Sequence, residues 1–447
     1  MQRTLFLIPV PDDLFGLPVV GVGWLLILWG LIVAVWIFLL SRKPTFMQEL
    51  LGHLPLFAVV AAAIVFVLPM LRVTEGDQIG FPIRGYGVLL VFAIVSAVGL
   101  AAYRAQQMGL NPEVIFSLAM VLIICGVVGA RLFFVIQYWE NFYRPGDWQA
   151  TAQEIFKVTE GGIVVYGSLI GGAVAFAVFC YRKQINALAL ADLIAPSLMI
   201  GMFFGRLGCF MNGCCYGGLC TLPLAVQFPQ GIAPQYTPPY VRHLESGAFY
   251  GLLFVENEED QVIVANVLPD SAASKTGKFE PGDVVESIDG YPLQGESYEP
   301  LDLLKNRFLA SWMKEGPRKG TLEIKLADKG DVALHVDEMP SASLPIHPTQ
   351  IYSSLNGFIL CLLVLAYYPF RKTDGEVIAL TLGLYSIARF LLEVIRTDEY
   401  AIGGTGLTIS QNVSVVISVL AVCLFIFARI RKQPLAWPRE VALNADS

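Results

Sequence analysis

The sequence predicts an α-helical protein that crosses a membrane about nine times, with one small α+β domain inserted between the sixth and seventh spans. Of 447 residues, 55% are hydrophobic and 15% are charged, whereas soluble proteins carry about 25% charged residues. Residues 17–40 form a run of 24 residues without a charge, more than the roughly 20 that cross the hydrocarbon core of a bilayer. A bilayer is therefore the expected solvent for most of the chain.

Nine apolar runs are candidate spans. They lie near residues 17–40, 54–71, 86–103, 115–137, 161–181, 190–210, 350–369, 376–395 and 408–428. The first run is too long for the apolar core of a signal peptide, and an acidic segment precedes it. We therefore expect two N-terminal spans in residues 1–75, a membrane core in 76–230 and 347–432, an insert in 231–346 and a tail in 433–447.

Basic residues favour one orientation. They collect in alternate connections and in the tail, at residues 42–43, 104, 182–183, 371–372 and 429–432. Because cytoplasmic loops carry the excess of Lys and Arg, the N-terminus and the insert are predicted outside and the C-terminus in the cytoplasm. The net charge of −7 and the lack of a basic stripe give no support for nucleic-acid binding.

Four of the eight cysteines cluster at the outer end of the sixth span: Cys209, Cys214, Cys215 and Cys220. An exported position would allow one or more disulfides there, and the sequence leaves the pairing open. Neither a neighbouring histidine nor C-x-x-C spacing is present, so we do not expect a metal site. The other four cysteines lie singly in apolar helices and are read as small hydrophobic residues.

The insert alternates β-branched runs with turns, which is typical of an α+β fold. Its stretch from Ser271 to Gly290, S-A-A-x-x-x-G-x-x-x-P-G-D-V-V-x-x-I-D-G, resembles a PDZ domain over residues 250–340. The resemblance implies that a C-terminal peptide adds to one strand and that backbone N–H groups hold its carboxylate. The expected carboxylate loop is formed by Gly251, Leu252, Leu253 and Phe254. The alternative is a spacer with an empty groove.

Charges inside the spans are costly and mark candidate functional sites. Arg206 lies near the outer end of the sixth span, and Arg131 lies in the fourth. In the eighth span, a polar stripe occupies an arc of about 80° at 100° per residue; its members are Tyr385, Arg389, Glu393 and Arg396. Arginines suit a phosphate because their paired donors match its oxygens, so this set predicts a cavity for an anionic phospholipid. Snorkelling, structural ion pairing and solute transport are the alternatives.

Two span starts have unusual residues. The fifth begins G-G-I-V-V-Y-G-S-L-I-G-G at residues 161–172, and this glycine density predicts tight helix packing or an irregular backbone that lines a cavity. The seventh begins I-H-P-T-Q-I-Y at residues 346–352, with a proline in its first turn. A lone histidine such as His347 is more often structural than catalytic.

Several motifs together resemble the prolipoprotein diacylglyceryl transferase family. They cover residues 80–230 and 345–430 in family order, and the first two spans and the insert are additional. The motifs are Gly85-Tyr-Gly87, Gly129-Ala-Arg-Leu-Phe133, the glycine-rich start at 161–172, Asp192-Leu-Ile-Ala-Pro196, Gly205-Arg-Leu-Gly-x-Phe-x-Asn-Gly213, Ala225-Val-Gln-Phe-Pro229, His347-Pro-Thr-Gln-Ile-Tyr352 and Tyr385-x-x-x-Arg-Phe-x-x-Glu-x-x-Arg396.

The resemblance implies a bacterial plasma-membrane enzyme. It would transfer the diacylglyceryl group of phosphatidylglycerol to the lipobox cysteine of a prolipoprotein, release glycerol 1-phosphate and need no cofactor. Arg206 matches the phosphatidylglycerol-binding arginine of the family, and Arg389 matches its second essential one. Other positions that match functional or substrate-binding residues are Tyr86, Asn212, Gly217, His347, Gln350, Tyr385, Glu393 and Arg396.

Four positions depart from the family pattern: Tyr166 replaces a frequent histidine proposed as the base, Cys209 an asparagine, and Cys214 and Ser353 glutamates. A phenol is largely protonated near neutral pH, so either Tyr166 is activated by nearby arginines or the arginines alone acidify the thiol. A catalytically silent scaffold of the same fold is the main rival function. An intramembrane metalloprotease is disfavoured because H-E-x-x-H is missing.

Overall fold

The computed structural model describes residues 4–41, 46–75, 78–144, 147–156, 162, 164–232, 235–257, 259–293, 301–306, 308, 320–336, 339–396, 405–431 and 435–437. The chain divides into two compact units. One comprises Met1–Val88, Met211–Cys214 and Gln227–Pro345, and the other comprises Leu89–Phe210, Cys215–Val226 and Ile346–Ser447.

Helices occur at all nine predicted positions. In chain order the α-helices are α1 Trp24–Leu40, α2 Phe46–Ala62, α3 Leu68–Met70, α4 Gly85–Gln107, α5 Glu113–Gln137, α6 Trp139–Phe142, α7 Trp148–Phe156, α8 Val165–Lys183, α9 Ala187–Asn212, α10 Pro238–Glu245, α11 Ala272–Thr276, α12 at residues 301–306, α13 Thr349–Tyr367, α14 Glu376–Glu393 and α15 Ile409–Arg431. A π-helical turn, Ala63–Val67, joins α2 to α3.

Six helical segments in the described part of the chain are long and apolar enough to cross a membrane: Gly85–Gln107, Glu113–Gln137, Val165–Lys183, Ala187–Asn212, Thr349–Phe370 and Ile409–Arg431. The prediction of a polytopic helical membrane protein is therefore confirmed in this coarser form. The apolar helices before residue 71 are shorter, and α14 carries Glu376, Arg389 and Glu393. The count of nine spans stays a prediction.

The first predicted span starts later than expected. Residues 13–14 and 17–18, strands β2 (Asp13–Leu14) and β3 (Leu17–Pro18), pair as a hairpin, so α1 begins at Trp24 rather than near residue 17. The nearby strands β1 (Thr4–Pro9), β4 (Val73–Glu75) and β5 (Gln78–Arg84) form an antiparallel sheet in the order β1-β5-β4. The N-terminal region therefore holds strands beside its helices, which the apolar pattern alone did not indicate.

Glycines let α5 and α8 pack with their backbones close together. A Cβ on Gly129 would lie 2.5 Å from the carbonyl oxygen of Gly167, and a Cβ on Gly167 would lie 2.4 Å from that of Gly129. Gly171 is equally restricted, because its Cβ would lie 2.5 Å from the oxygen of Cys125. Small residues at helix contacts permit this approach, so tight packing accounts for the glycines at 167 and 171.

A buried polar cluster surrounds the first turn of α14. The carboxylate of Asp192, which is fully buried, accepts hydrogen bonds from the N–H groups of Gly375 and Ile378, both at 2.8 Å. Two backbone donors at a helix N-terminus thus receive an anionic partner. The contact also joins α9 to α14, which precede and follow the insert in the chain.

In the unit that contains α13, α14 and α15, the two residues that flank 227–345 pair with each other. Val226 and Ile346 exchange two backbone hydrogen bonds, N–H of 226 to O of 346 at 3.0 Å and N–H of 346 to O of 226 at 3.1 Å. We call this pair of residues the neck. It fixes the path of residues 215–226 against the segment that leads into α13.

The insert is an α+β domain, as predicted. Strands β8 (Leu252–Glu256) and β9 (Val262–Val267) pair with each other, and β10 (Val285–Ile288), β11 (Tyr291–Pro292), β12 (Gly320–Leu326) and β13 (Gly330–Val336) form a sheet in the order β11-β10-β12-β13. Two short strands, β6 (Gly231–Ile232) and β7 (Gln235–Tyr236), precede α10. Leu252, Val264, Ile324 and Leu334 are fully buried in its core. The PDZ assignment stays a prediction.

Candidate active site

The predicted polar stripe of α14 is an ion-pair cluster inside the membrane unit. The carboxylate of Glu393 pairs with the guanidinium of Arg389 one turn earlier, and its Oε2 lies 3.7 Å from Nε of Arg396. The Glu393 side chain is 1% exposed, whereas those of Arg389 and Arg396 are 17% and 9% exposed. The i, i+4 pairing expected from the sequence is confirmed.

The cluster has more positive charge than this carboxylate neutralises. Two guanidinium groups share Oε2 of Glu393, while its buried Oε1 has no hydrogen-bond partner among the described residues. A buried acceptor without a partner costs free energy unless a ligand or water completes it. The arrangement therefore has an excess of cations and one open acceptor, which suits an anionic ligand that also carries a donor.

Arg206 lies close to this cluster. It stands on α9, and its guanidinium is within range of electrostatic interaction with the Tyr385 phenol, the Arg396 guanidinium and the thiols of Cys209 and Cys215. The guanidinium of Arg206 on α9 and the phenol of Tyr385 on α14 are thus within interaction range, and the shared lipid site expected from the sequence stays a prediction. Within the described ranges, this site brings three arginines, 206, 389 and 396, together with one carboxylate, that of Glu393.

A serine that the sequence reasoning missed connects the stripe to Tyr166. Oγ of Ser410, in the first turn of α15, accepts a hydrogen bond from Nη2 of Arg389 at 3.0 Å. The same oxygen lies 3.5 Å from the hydroxyl oxygen of Tyr166 on α8. The hydroxyl of Ser410 therefore links Tyr166 to Arg389. A serine in an apolar helix gave no sequence signal for this contact.

Gly217 lies where three segments meet. Its N–H donates to the carbonyl of His347 at 2.9 Å, and the N–H of Gly218 donates to the carbonyl of Ile395 at 2.9 Å. A Cβ on Gly217 would lie 2.7 Å from Cβ of His347 and 2.9 Å from the oxygen of Ile395. Only glycine fits without displacing the end of α14, which explains the match to the family in terms of packing.

His347 lies just before α13, and Gln350 lies in the first turn of that helix. Nδ1 of His347 is buried, and no hydrogen-bond partner for it is found within the described ranges. The ring of His347 packs edge-on to Tyr352, at 6.4 Å between centroids. Gln350 is fully buried. The backbone bonds to Gly217 and Gly218 tie this segment to the end of α14, where Glu393 and Arg396 lie.

Two predicted site residues belong to the other compact unit. Tyr86 lies in the first turn of α4 and is 40% exposed, and Asn212 is the last residue of α9. Gly85, which precedes Tyr86, packs against Met211, which precedes Asn212: a Cβ on Gly85 would lie 3.0 Å from Cε of Met211. Tyr86 and Asn212 therefore belong to the same compact unit.

Arg131 has a different role from the one the sequence suggested. Its guanidinium donates to the carbonyls of Ile155 at 2.9 Å, Gly162 at 3.0 Å and Glu154 at 3.1 Å. It also lies 5.3 Å from the ring of Phe142. Arg131 therefore holds the connection between α5 and α8, and the expectation that it adds to a cation-lined cavity is wrong.

The eight cysteines, all within the described residues, are present as thiols. Sγ of Cys209 and Sγ of Cys215 lie within 4.8 Å of each other. Side-chain rotation would be needed to reach the roughly 2 Å of a disulfide, and two such thiols would also suit a soft metal ion. Cys220 is buried, and its sulfur accepts a hydrogen bond from the N–H of Leu222 at 3.4 Å.

An apolar groove of about 780 Å³ runs along α5 and α8. Its lining includes Leu132, Phe133, Ile170 and Val174, and Arg182 is at its rim. Gly167, the neighbour of Tyr166, also lines it. The groove has the composition expected of a surface that receives hydrocarbon chains.

The predicted carboxylate loop of the insert uses part of its backbone internally. The N–H of Gly251 donates to the carbonyl of Ala248 at 3.0 Å, and the N–H of Leu252 donates to that of Gly247 at 3.3 Å. Phe308 stacks on Tyr250 and Phe254 at 5.5 and 6.1 Å between centroids. Gly251 has a φ of +87°, and a Cβ there would overlap Ser271, so its glycine is required by the turn.

Comparison with known proteins agrees with the motifs. The family model described as prolipoprotein diacylglyceryl transferase matches residues 77–427. A phosphatidylglycerol–prolipoprotein diacylglyceryl transferase from Rhodopirellula baltica is 37% identical over 95% of this chain and 89% of the relative. A protein of the same name from Clostridium tetani is 25% identical over 80% of this chain and 98% of the relative.

Proposed function

The chain belongs to the prolipoprotein diacylglyceryl transferase family and is an enzyme, and we propose that it transfers the diacylglyceryl group of phosphatidylglycerol to a lipobox cysteine. The thiol sulfur forms a bond to the glyceryl carbon, and the bond from that carbon to the phosphate oxygen breaks. The electron pair leaves with glycerol 1-phosphate, and the thiol proton passes to a base. The thioether product carries the diacylglyceryl group.

The observation that carries this proposal is the excess of arginine over carboxylate around Glu393. A phosphodiester binds there with one negative charge, and the leaving glycerol 1-phosphate develops a second as the ester bond breaks. Preorganised donors and cations aimed at developing charge stabilise a transition state more than a ground state. Arg206 and Arg389 therefore bind the lipid phosphate, while Arg396 and Glu393 hold them in place.

The nucleophile must lose its proton near this positive site. Thiolate rather than thiol attacks carbon, and nearby cations favour the thiolate. The Tyr166 phenol is connected to Arg389 through Ser410, and we assign it the role of accepting the thiol proton. Tyr385, within range of Arg206, orients the phosphate with its hydroxyl. Tyr86, Asn212, His347 and Gln350 complete the substrate site in this proposal.

The reaction requires the catalytic end of the membrane helices to face the exported side, where lipobox cysteines arrive. The basic connections at residues 182–183 and 371–372 support that orientation, in a bacterial plasma membrane. A reporter fused at Gly290 should be active outside the cytoplasm. A fusion at Lys432 should show the cytoplasmic pattern and serves as the matched control. Reversal of both signals would overturn the orientation.

For the insert we propose an accessory role in holding protein partners, through a PDZ-like groove beside β8. All the proposed catalytic residues lie outside residues 250–340, which supports an accessory role. Replacing that stretch with a short Gly/Ser bridge should leave modification of a synthetic lipobox peptide largely unchanged and reduce that of some native prolipoproteins. Loss of activity toward the short peptide in a folded variant would place the insert in the active site.

The transferase itself is tested by rescue of a bacterium depleted of its own enzyme. The wild-type gene should restore growth and lipidation of a reporter prolipoprotein, seen as a mobility shift. Purified protein in phosphatidylglycerol nanodiscs should release glycerol 1-phosphate only when a lipobox peptide with a cysteine is present. A peptide with serine in place of cysteine is the control, and equal release with both peptides would contradict the proposal.

A further inference from the structure

Ser410 connects three helices of the membrane unit at the candidate site. It lies in the first turn of α15 and is 7% exposed. Its Oγ accepts from Nη2 of Arg389, on α14, at 3.0 Å, and lies 3.5 Å from the Tyr166 hydroxyl, on α8. One small side chain thus sets the distance between the guanidinium and the phenol.

The common role of a serine at this place in a helix is to cap the helix N-terminus, and other residues do that here. Oγ1 of Thr408 accepts from the N–H of Gln411 at 3.2 Å, and Oε1 of Gln411 accepts from the N–H of Thr408 at 3.0 Å. This reciprocal pair is a capping box. The hydroxyl of Ser410 is therefore not needed for the cap and is directed to Arg389 and Tyr166.

The donor and acceptor roles in this chain are constrained. A guanidinium only donates, so Oγ of Ser410 must accept from Arg389. A serine oxygen has two lone pairs and one proton, so it can also accept from the Tyr166 O–H or donate to its oxygen. As a phenolate, Tyr166 accepts the thiol proton and becomes the phenol, and Ser410 can donate to that phenolate while still accepting from Arg389. The charge of Arg389 then polarises both hydrogen bonds.

We propose that Ser410 is a positioning residue that holds the Tyr166 hydroxyl in line with Arg389. Arg389 binds the lipid phosphate. The contact through Ser410 therefore places Tyr166, which accepts the thiol proton, beside the leaving group. The inference rests on the transferase function, because it assigns Ser410 its effect through two residues of that reaction. It also explains how a tyrosine occupies a position where a histidine is frequent in the family.

The test compares Ser410→Ala with Ser410→Thr and with Ser418→Ala. Threonine keeps the hydroxyl. Ser418 is a matched control because its Oγ lies 2.7 Å from Oγ of Ser386, so that pair also joins α14 and α15. In phosphatidylglycerol nanodiscs, Ser410→Ala should lower kcat about tenfold with KM for the lipobox peptide within about twofold. Ser410→Thr should recover most of the loss, and Ser418→Ala should stay within about twofold of wild type.

A double-mutant cycle identifies the path of the effect. In a Tyr166→Phe background, Ser410→Ala should change kcat by less than about twofold, because the phenol it positions is already gone. Full activity in Ser410→Ala, or independent multiplication of the two losses, would overturn the proposal. If Ser410→Ala does not fold, Ser410→Cys is tested in its place. Cysteine keeps the volume of the side chain but forms a weaker hydrogen bond, so this variant should show the same loss of kcat.

A readout that needs no turnover separates this inference from the proposed function. With 3-fluorotyrosine at position 166, the ¹⁹F resonance should shift in Ser410→Ala and in Arg389→Lys and should not move in Ser418→Ala. If the resonance is unchanged in Ser410→Ala, the proposed contact between Ser410 and Tyr166 is wrong, even if the enzyme is active. An inactive wild-type protein whose resonance does respond to Ser410 would instead overturn the transferase function.

Discussion

The two ends of α14 both carry a buried glutamate, and the two carboxylates have different surroundings. At the N-terminal end, Oε1 of Glu376 accepts from the N–H and the hydroxyl of Thr373, both at 2.8 Å, and Oε2 accepts from the Tyr367 hydroxyl at 3.0 Å. At the C-terminal end, Glu393 shares one oxygen between two arginines, and its other oxygen has no partner within the described residues. Only the first carboxylate is complete without a ligand.

The balance between arginines and carboxylates also differs between the two ends of α14. Near Glu376, Arg104, Arg371 and Arg429 are accompanied by the carboxylates of Asp192, Asp374 and Glu376. Arg104 and Arg371 stack on the ring of Tyr368 at 3.9 and 3.7 Å, and Arg371 also donates to the carbonyl of Trp437 at 3.1 Å. Near Glu393, the described residues include three arginines and one carboxylate. Near Glu376 the charges are balanced and both oxygens of that carboxylate have partners, although Nε of Arg371 and Oδ1 of Asp374 have none within the described ranges. A balance of charges is typical of structure, and an excess of cations indicates a site for an anion.

The strongest challenge to this comparison is removal of single arginines from the unbalanced end. Arg206→Ala and Arg389→Ala should each lower transferase activity at least about 100-fold while the protein remains folded, measured as glycerol 1-phosphate release in nanodiscs. Replacement by Lys should also impair activity, because a point charge lacks paired donors. Arg72→Ala, which removes an arginine that pairs with Asp12 outside this cluster, is the control. An active Arg206→Ala enzyme would remove the phosphate-binding role.

The two glutamates should respond in opposite ways to the same substitution. Glu376→Gln should lower the free energy of unfolding by about 3 kcal/mol, since it leaves buried donors and Arg429 without their anion, and activity per folded molecule should remain. Glu393→Gln should lower kcat about tenfold or more with a smaller loss of stability. Thermal unfolding followed by a thiol-reactive dye measures the first effect, and turnover in nanodiscs measures the second. Equal profiles for both variants would contradict the comparison.

Substitutions at position 166 test whether the Tyr166 hydroxyl takes part in activating the thiol. Tyr166→Phe keeps the ring and removes the hydroxyl, so kcat should fall about tenfold. Tyr166→His restores the residue frequent in the family and should retain activity. Rates measured between pH 6 and 9 should separate the two roles, because histidine titrates within that range. If phenylalanine supports the wild-type rate, the position has only a packing role and the arginines alone activate the thiol.

The last prediction concerns stability rather than turnover, at a satisfied buried group outside the membrane helices. Nδ1 of His243 in the insert accepts from the N–H of Leu344 at 3.0 Å, and burial, with a smaller contribution from Arg242, lowers the pKa of His243 to about 4. Its unfolded pKa is about 6.5, so the unfolded state binds the proton first as pH falls. Stability is complete above about pH 6.5 and decreases by about 3 kcal/mol down to about pH 4.

Limited proteolysis of the full-length protein across that pH range measures this loss in the insert. His243→Gln keeps an acceptor and removes the titration, so cleavage should become nearly independent of pH between 4 and 6.5. Transferase activity toward a short peptide should not follow the same curve. If the variant and the wild type show the same pH dependence, His243 is not the group responsible.

The sequence predicted those features that depend on local pattern. Each predicted apolar run contains a helix in the described part of the chain, and six of these helices are long and apolar enough to cross a membrane, because apolar runs report directly on the solvent around them. The 3.6-residue period placed Arg389 and Glu393 one turn apart, and their pairing is confirmed. The predicted start of the first span was wrong. Residues 13–14 pair with residues 17–18 as a hairpin, so this stretch is not helical despite its apolar content.

Features that depend on contacts between distant segments were not predictable. Ser410 carries no charge and lies in an apolar helix, so only the folded position of Arg389 reveals its hydroxyl as a partner. Arg131 was assigned to the wrong group because a charge count does not show that three carbonyls already hold its donors. The role of Asp192 at the first turn of α14 likewise required knowledge of which helices are neighbours.

The neck at Val226 and Ile346 has a consequence for how this gene can change. Because the two residues are hydrogen-bonded to each other, residues 227–345 begin and end at nearly the same place. The entropic cost of closing such a loop grows only logarithmically, by about 0.6 kcal/mol for each doubling of its length. A domain whose own termini are close together can therefore be exchanged here by one recombination event at each end. An affinity or fluorescent module whose ends are close together can therefore be carried within residues 231–345 while Val226 and Ile346 stay paired.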